Sequence, residues 1–223
     1  QNLAHLTPRE TAEQHCRQTM LLIQPQPAVL SSRVDYFGNQ LTFFSVQEPH
    51  RKLCITASHE VEVSPRATVD PTKTPAWEAV RDRLRTSRDA ASLEAYQFAF
   101  PSRHVPSSAD FGTMGANGGV SVDFEYDPKS TTIATPISEV FKQRRGVCQD
   151  FSHLQIACLR SLGLAARYVS GYLRTTPQPG KPRLVGADAT HAWVSVYCPD
   201  IGWLDVDPTN NVQPSDKHLV LGW

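Results

Sequence analysis

The spacing of apolar and polar positions divides this chain into a β-rich first third and a mixed remainder. Residues 17–23 predict a strand that the Pro25 and Pro27 region closes. Residues 34–37 and 40–46 flank Gly38-Asn39, which has the composition of a two-residue hairpin turn. Leu53, Ile55, Ala57, Val61 and Val63 keep one parity, as a half-buried strand does, with His59 breaking the apolar run. Residues 65–75 read as a linker, and 77–84 and 90–100 as helices. The glycine-rich stretch 112–119 lacks the strand, lysine and helix of a phosphate loop, so it predicts a mobile surface segment. Thr135-Pro136 opens a short helix running to residue 145, with proline at the tolerated first position.

The next helix carries the chemistry. Phe151, Leu154, Cys158 and Leu162 repeat at helical spacing from Cys148, and Gly163 is a helix stop. Cys148 follows a glycine and stands in the first turn, where unpaired N–H groups and the positive end of the helix dipole favour a thiolate. Arg144 and Arg145 add positive charge just upstream, although such pairs are most often a solvated corner. Cys158, on the apolar face, reads as a small buried hydrophobe. Asp150 sits where a carboxylate simply favours the dipole, and it could also shape a cleft. His153 lies more than one turn past Cys148, which favours packing or capping.

A base and its orienting acid come from a hairpin signature. Residues 190–197 alternate like a strand, Pro199-Asp200-Ile201-Gly202 form a turn cluster, and residues 203–207 alternate again before Pro208. With paired positions summing to about 400, His191 lies diagonal to Asp207; with a sum of about 398 it lies directly opposite. In both registers the two share a face, because side chains alternate with period two. Asp205 has the same parity but lies nearer the turn, which makes it the weaker partner. Trp193 and Trp203 share that face and would wall a substrate cleft or cover the core. After the Cys148 helix, residues 166–173 read as a strand and 176–186 as a Pro/Gly loop.

A helix-borne cysteine followed by a histidine and an aspartate on adjacent strands resembles the transglutaminase-like superfamily. The wording is close as well as the order. Gly146-Val147-Cys148-Gln149-Asp150-Phe151-Ser152-His153, the 165–172 segment, His191-Ala192-Trp193, Gly202-Trp203 and Asp207-Pro208-Thr209-Asn210 are similar to its bacterial "putative cysteine protease" branch. Asp35-Tyr36-Phe37-Gly38-Asn39 and Glu48-Pro49-His50 resemble that branch's β-rich N-terminal region. The resemblance implies an α+β fold: a papain-like core, residues 66–223, behind a small β-rich N-terminal domain, residues 1–65. It implies Cys148 as nucleophile, His191 as general base and Asp207 as orienter, and chain ends trimmed relative to the family.

Composition narrows the alternatives. Lys plus Arg and Asp plus Glu are 22 each, and no basic stripe interleaves with aromatics, so nucleic acid is not suggested. No apolar run approaches ~18 residues, so no membrane span is expected. Five cysteines without a CxxC pair argue against a disulfide framework or zinc knuckle. With no signal-peptide pattern at the start, they fit a reducing, cytoplasmic compartment. No cofactor is called for, and the oligomeric state is not legible.

The chemistry expected is acyl transfer on a peptide or protein substrate. His191 takes the Cys148 proton, Asp207 holds the imidazolium, and the thiolate attacks an amide or ester carbonyl. Water as acceptor makes a protease or amidase; an amine makes a transglutaminase. The Cys148 N–H supplies one oxyanion donor, and Tyr126 and Gln149 are candidates for the second. A zinc site of Cys148, His191 and Asp207, with His153 as fourth ligand, is a rival reading, and a binding module that has lost turnover is another.

Overall fold

A computed structural model describes residues 1–117, 120–176, 183–187 and 189–223. The first third is β structure, as its alternation predicts. Strand β1 (Asn2–Ala4) pairs with β4 (Gln40–Ser45), which pairs with β3 (Val29–Val34), all antiparallel. Strands β2 (Gln14–Gln24) and β5 (Cys54–Val63) form a long antiparallel ribbon. The β3–β4 connection is longer than a two-residue turn. Val34 pairs with Gln40, and residues 35–39 form a loop in which the Asp35 carboxylate accepts from the N–H groups of Phe37 (2.9 Å) and Asn39 (2.8 Å). An Asx-type cap thus holds the bend, with Gly38 supplying φ of +80°.

Two helices, α1 (Trp77–Thr86) and α2 (Ala90–Tyr96), precede the core, and a 3₁₀ turn Gln97–Ala99 finishes the second. They close over Leu164, Ala165, Tyr197 and Cys198 with Val80, Leu84 and Ala95. Helix α3 (Ala109–Asn117) runs through the stretch expected to be a mobile glycine-rich loop; Gly118 and Gly119 lie outside the described residues. Gly115 is there for packing. A Cβ on Gly115 would come within 3.1 Å of Cys158 on the neighbouring helix, so the lack of one lets the two helices approach closely. Helix α4 (Val120–Asp123) and β6 (Glu125–Tyr126) follow. Then come α5 (Ile137–Gln143), β7 (Arg145–Gly146) and α6 (Cys148–Ser161), β6 pairing in parallel with β7.

The remaining strands form one antiparallel sheet: β8 (Ala166–Leu173), β9 (Thr190–Cys198), β10 (Gly202–Val206) and β11 (His218–Gly222), in the order β10-β9-β8-β11. Helix α6 lies against this sheet, its Phe151, Leu154, Ala157 and Cys158 packing with Ala166 and Val194. The fold is α+β. The N-terminal strands reach the sheet through side-chain amides. The Gln14 amide brackets Val220, donating to its carbonyl (2.8 Å) and accepting from its N–H (2.7 Å). Asn39 does the same at Trp223, at 2.7 and 3.1 Å. Both amides are buried.

Candidate active site

Helix α6 starts at Cys148 because its cap is built into the residues around it. Asp150, 6% exposed, accepts from the Val147 N–H (2.9 Å) and the Thr131 hydroxyl (2.6 Å) through one carboxylate oxygen. Asp150 borders a cleft of about 510 Å³ with Gln149, His153 and His104, but its carboxylate is committed to holding the helix start. Gly146 is needed there, since a Cβ would fall 2.9 Å from the Asp150 side chain. Cys148 is half-buried. Cys158, ten residues on, is fully buried, and burial pushes its thiol up to about 11.

The hairpin pairs with the sum of 400: Gly202 opposite Cys198, through Val206 opposite Val194. The ladder ends there, and Asp207 bridges to Val212 instead. His191 and Asp207 are each 1% exposed, and His191 Nε2 lies 2.9 Å from Asp207 Oδ2. Burial disfavours a charged imidazole. The hydrogen bonds to Asp207 and Cys148 and their negative charges outweigh it, raising the His191 pKa to about 9. With Nε2 taken by Asp207, Nδ1 is the nitrogen left for the thiol, and it is buried. The structure therefore brings Cys148, His191 and Asp207 together in that order.

Asp207 is the most heavily hydrogen-bonded group of the site. Its Oδ1 accepts from the N–H groups of Thr209 (2.9 Å) and Asn210 (3.1 Å). Its Oδ2 accepts from His191, from Asn210 Nδ2 (2.8 Å) and from His218 Nε2 (3.1 Å). Burial pushes the carboxyl up, but these donors together hold it well below the usual carboxylate range. His218 and Asn210 thus belong to the site although the sequence reading assigned neither a role. His218 is on β11, remote in sequence, and no local pattern marks it; Asn210 lay within the quoted motif. Among the described residues, His191, Asp207 and His218 have ligand atoms within 4.8 Å of one another. The Cys148–His191–Asp207 zinc set is disfavoured by geometry, because the thiol and the carboxylate use opposite ring nitrogens.

The other candidates separate. Tyr126 pairs with Gly146 across the β6–β7 bridge, and its phenol is pushed up by burial and by the Cys148 charge. Tyr168 is pushed up in the same way, by burial first and then by Cys148 and Asp150. Gln149 is half-buried and lines the cleft. Trp193 does not wall a cleft: it is 0% exposed, with its ring 6.1 Å from that of His191 and 5.2 Å from that of His218. Trp203 is not at the site either. It pairs with Tyr197, about 20 Å along β9 from His191, and packs on Phe98 and Arg167. Parity fixes a face and says nothing of depth or distance along the strand. His153 stacks between His104 (5.6 Å) and Tyr168 (5.1 Å), and burial lowers its pKa to about 4. Arg144 packs over Phe124 and Phe141, and Arg145 pairs with Glu125 at the surface. No helix of the described residues is long and apolar enough to cross a membrane.

Known proteins place this arrangement. An uncharacterized protein of Mycobacterium tuberculosis is 41% identical over 235 residues, covering 97% of this chain and 75% of that protein. One from Mycobacterium leprae is 30% identical over 240 residues, covering 99% and 80%. A protein-glutamine gamma-glutamyltransferase of Pseudomonas aeruginosa is 34% identical over 99 residues, covering 41% of this chain and 15% of that protein. In structure, the "putative cysteine protease" from Cytophaga hutchinsonii superposes with a TM-score of 0.67 at 19% identity, covering 97% of this chain and 74% of that one. The bacterial transglutaminase-like N-terminal region matches residues 1–62 and the transglutaminase-like core matches residues 117–208; the chain belongs to the transglutaminase-like superfamily.

Proposed function

We propose that this protein is a thiol-dependent acyl-transfer enzyme that hydrolyses a peptide or amide bond through Cys148, His191 and Asp207. One observation carries the reading: a buried imidazole held on a carboxylate through Nε2, with the remaining nitrogen left for a half-buried thiol at a helix start. The Asp207 contact puts the His191 proton on Nε2 and leaves the Nδ1 lone pair for the cysteine. His191 takes the Cys148 proton, and the thiolate forms a bond to the carbonyl carbon. The oxyanion then collapses, the C–N bond breaks, and the amine leaves with the proton from His191. Water, deprotonated by the same imidazole, releases the acid and restores the thiol. The Cys148 N–H faces the developing oxyanion, with Tyr126 or Gln149 as second donor.

An amine in place of water gives transfer, an outcome supported by the name of the Pseudomonas relative. Alkylation of Cys148 by iodoacetamide against pH, read by peptide mass spectrometry, tests the shared first step. Fast labelling well below pH ~7 that weakens in His191→Ala is the expected result. Labelling that rises only near pH ~8.5, equally in both proteins, would sink the enzyme reading and leave a binding module. Peptide cleavage against incorporation of a labelled primary amine then separates the two acceptors.

A further inference from the structure

Two glycines of this chain share nearly the same left-handed backbone, yet their surroundings differ. Gly202, φ +92°, stands in the β9–β10 turn, where a Cβ would meet nothing within 4 Å. Gly186, φ +89°, stands over the catalytic imidazole, where a Cβ would lie 2.7 Å from His191 Nδ1 and 3.3 Å from its Cε1. Glycine at 202 answers only to conformation. At 186 it also answers to space beside the nitrogen that must take the cysteine proton.

The backbone at this point is tied to the catalytic carboxylate. Asn210 accepts from the Val185 N–H through Oδ1 (2.8 Å), donates to the Val185 carbonyl through Nδ2 (3.2 Å), and donates to Asp207 Oδ2 through the same nitrogen (2.8 Å). Its own N–H donates to Asp207 Oδ1. The amide therefore meets Val185 as a neighbouring strand would, while its other side fixes the group that orients His191. One side chain sets the height of residues 185–186 above the imidazole.

We propose that Asn210 and Gly186 are positioning residues, holding the 185–186 backbone as a close roof over His191 Nδ1. The inference rests on the acyl-transfer reading and extends it. The roof keeps the imidazole from turning away from the thiol. Any side chain at residue 186 displaces the ring or the loop, and a shift of that size at a reacting pair costs about 100-fold.

The test is Cys148 alkylation near pH ~6, below the ordinary thiol range, in wild type, His191→Ala, Gly186→Ala, Gly202→Ala and Asn210→Ala, with thermal melting of each. Gly202→Ala is the control: it brings the same backbone strain without the contact. Gly186→Ala is expected to lose about tenfold to 100-fold in acid-side labelling, while Gly202→Ala labels as wild type does. In Asn210→Ala, faster hydrogen exchange at the Val185 amide should accompany a smaller loss. Wild-type labelling in Gly186→Ala, or equal losses in both glycine variants, would overturn the proposal. If Gly186→Ala does not fold, Asn210→Ala decides it: unchanged Val185 exchange and unchanged labelling refute the roof. Were wild type and His191→Ala to label alike, the acyl-transfer reading would fail first and take the roof with it.

Discussion

The two ends of the β9–β10 hairpin carry the same face of the same ladder into opposite environments. At the open end, His191 and Asp207 are buried among N–H donors. At the turn end, the neighbouring charges are met by aromatic faces and by ion pairs, Arg83 with Asp200 in the turn and Arg66 with Asp205. The Arg167 guanidinium, 9% exposed, lies between the rings of Trp203 (4.0 Å) and Trp223 (3.7 Å), and Asp205 is paired with Arg66. Burial lowers the Arg167 pKa to about 9, and the Asp205 charge recovers only part of that. A charge sandwiched by π faces is stabilised in place and has no route to a proton. A charge hung on a shared hydrogen-bond network can pass its influence to a reacting group. Under the proposed function, the hairpin separates chemistry from fastening by position along the strand, without any change of face.

Substitutions at the two ends should expose that separation. The largest effect belongs to Asp207→Asn, which keeps the shape but lets the His191 proton move to Nδ1. Turnover on a cleaved peptide should fall by about 10⁴-fold. The melting temperature should fall too, because the new amide NH2 faces a donor at either oxygen position. A smaller effect comes from pH. With its pKa raised to about 9, the His191 imidazolium contributes its stability in full below ~6.5 and loses it as pH rises through about 9. Peptide cleavage, which needs that proton for the leaving amine, should decline above pH ~9 while Cys148 alkylation does not. Asp207 has the opposite sign: its contribution is present above the ordinary carboxylate range and is lost only deep into acid.

His218→Phe ranks next. It removes one of the N–H donors on Asp207, at a cost of about 1–3 kcal/mol in stability measured by denaturant unfolding. The carboxylate left less solvated should hold the His191 proton more tightly, moving the alkaline limb of cleavage upward; a downward move would mean that His218 acts by another route. At the turn end, Arg167→Lys gives up the planar stack on two indoles, lowering stability by about 1–2 kcal/mol with turnover intact. The smallest change is Asp205→Asn, about 1 kcal/mol or less for a partly exposed pair, again without loss of turnover. Loss of turnover in either turn-end variant would break the contrast between the two ends.

How much of this was readable before the fold? The helix from Cys148 and the strands on either side of Asp200 were legible, because apolar periodicity and turn residues are local signals. The side-by-side placement of His191 and Asp207 followed from parity. The same argument put Trp193 and Trp203 on that face but left open whether they wall a cleft or cover the core, since period-two alternation is blind to what covers a face. The helix over residues 112–117 was hidden because glycine reads as a breaker, while Gly115 serves a close approach to Cys158 that exists only once two helices meet. His218 was invisible for a similar reason: its partner Asp207 is reached through the pairing of β11 with β8 and not through any spacing along the chain.

The paired amides of Gln14 and Asn39 bear on how the molecule can be divided. They occupy backbone groups of Val220 in β11 and of Trp223 just beyond it, at the margin of the sheet and next to the strand that delivers His218 to Asp207. Residues 66–223 prepared alone would present that margin uncovered, as a template for a second chain to pair with. The composition break near residue 65 is therefore a poor place to cut: the first third of the chain guards the sheet against self-association and keeps in register the strand on which the carboxylate leans.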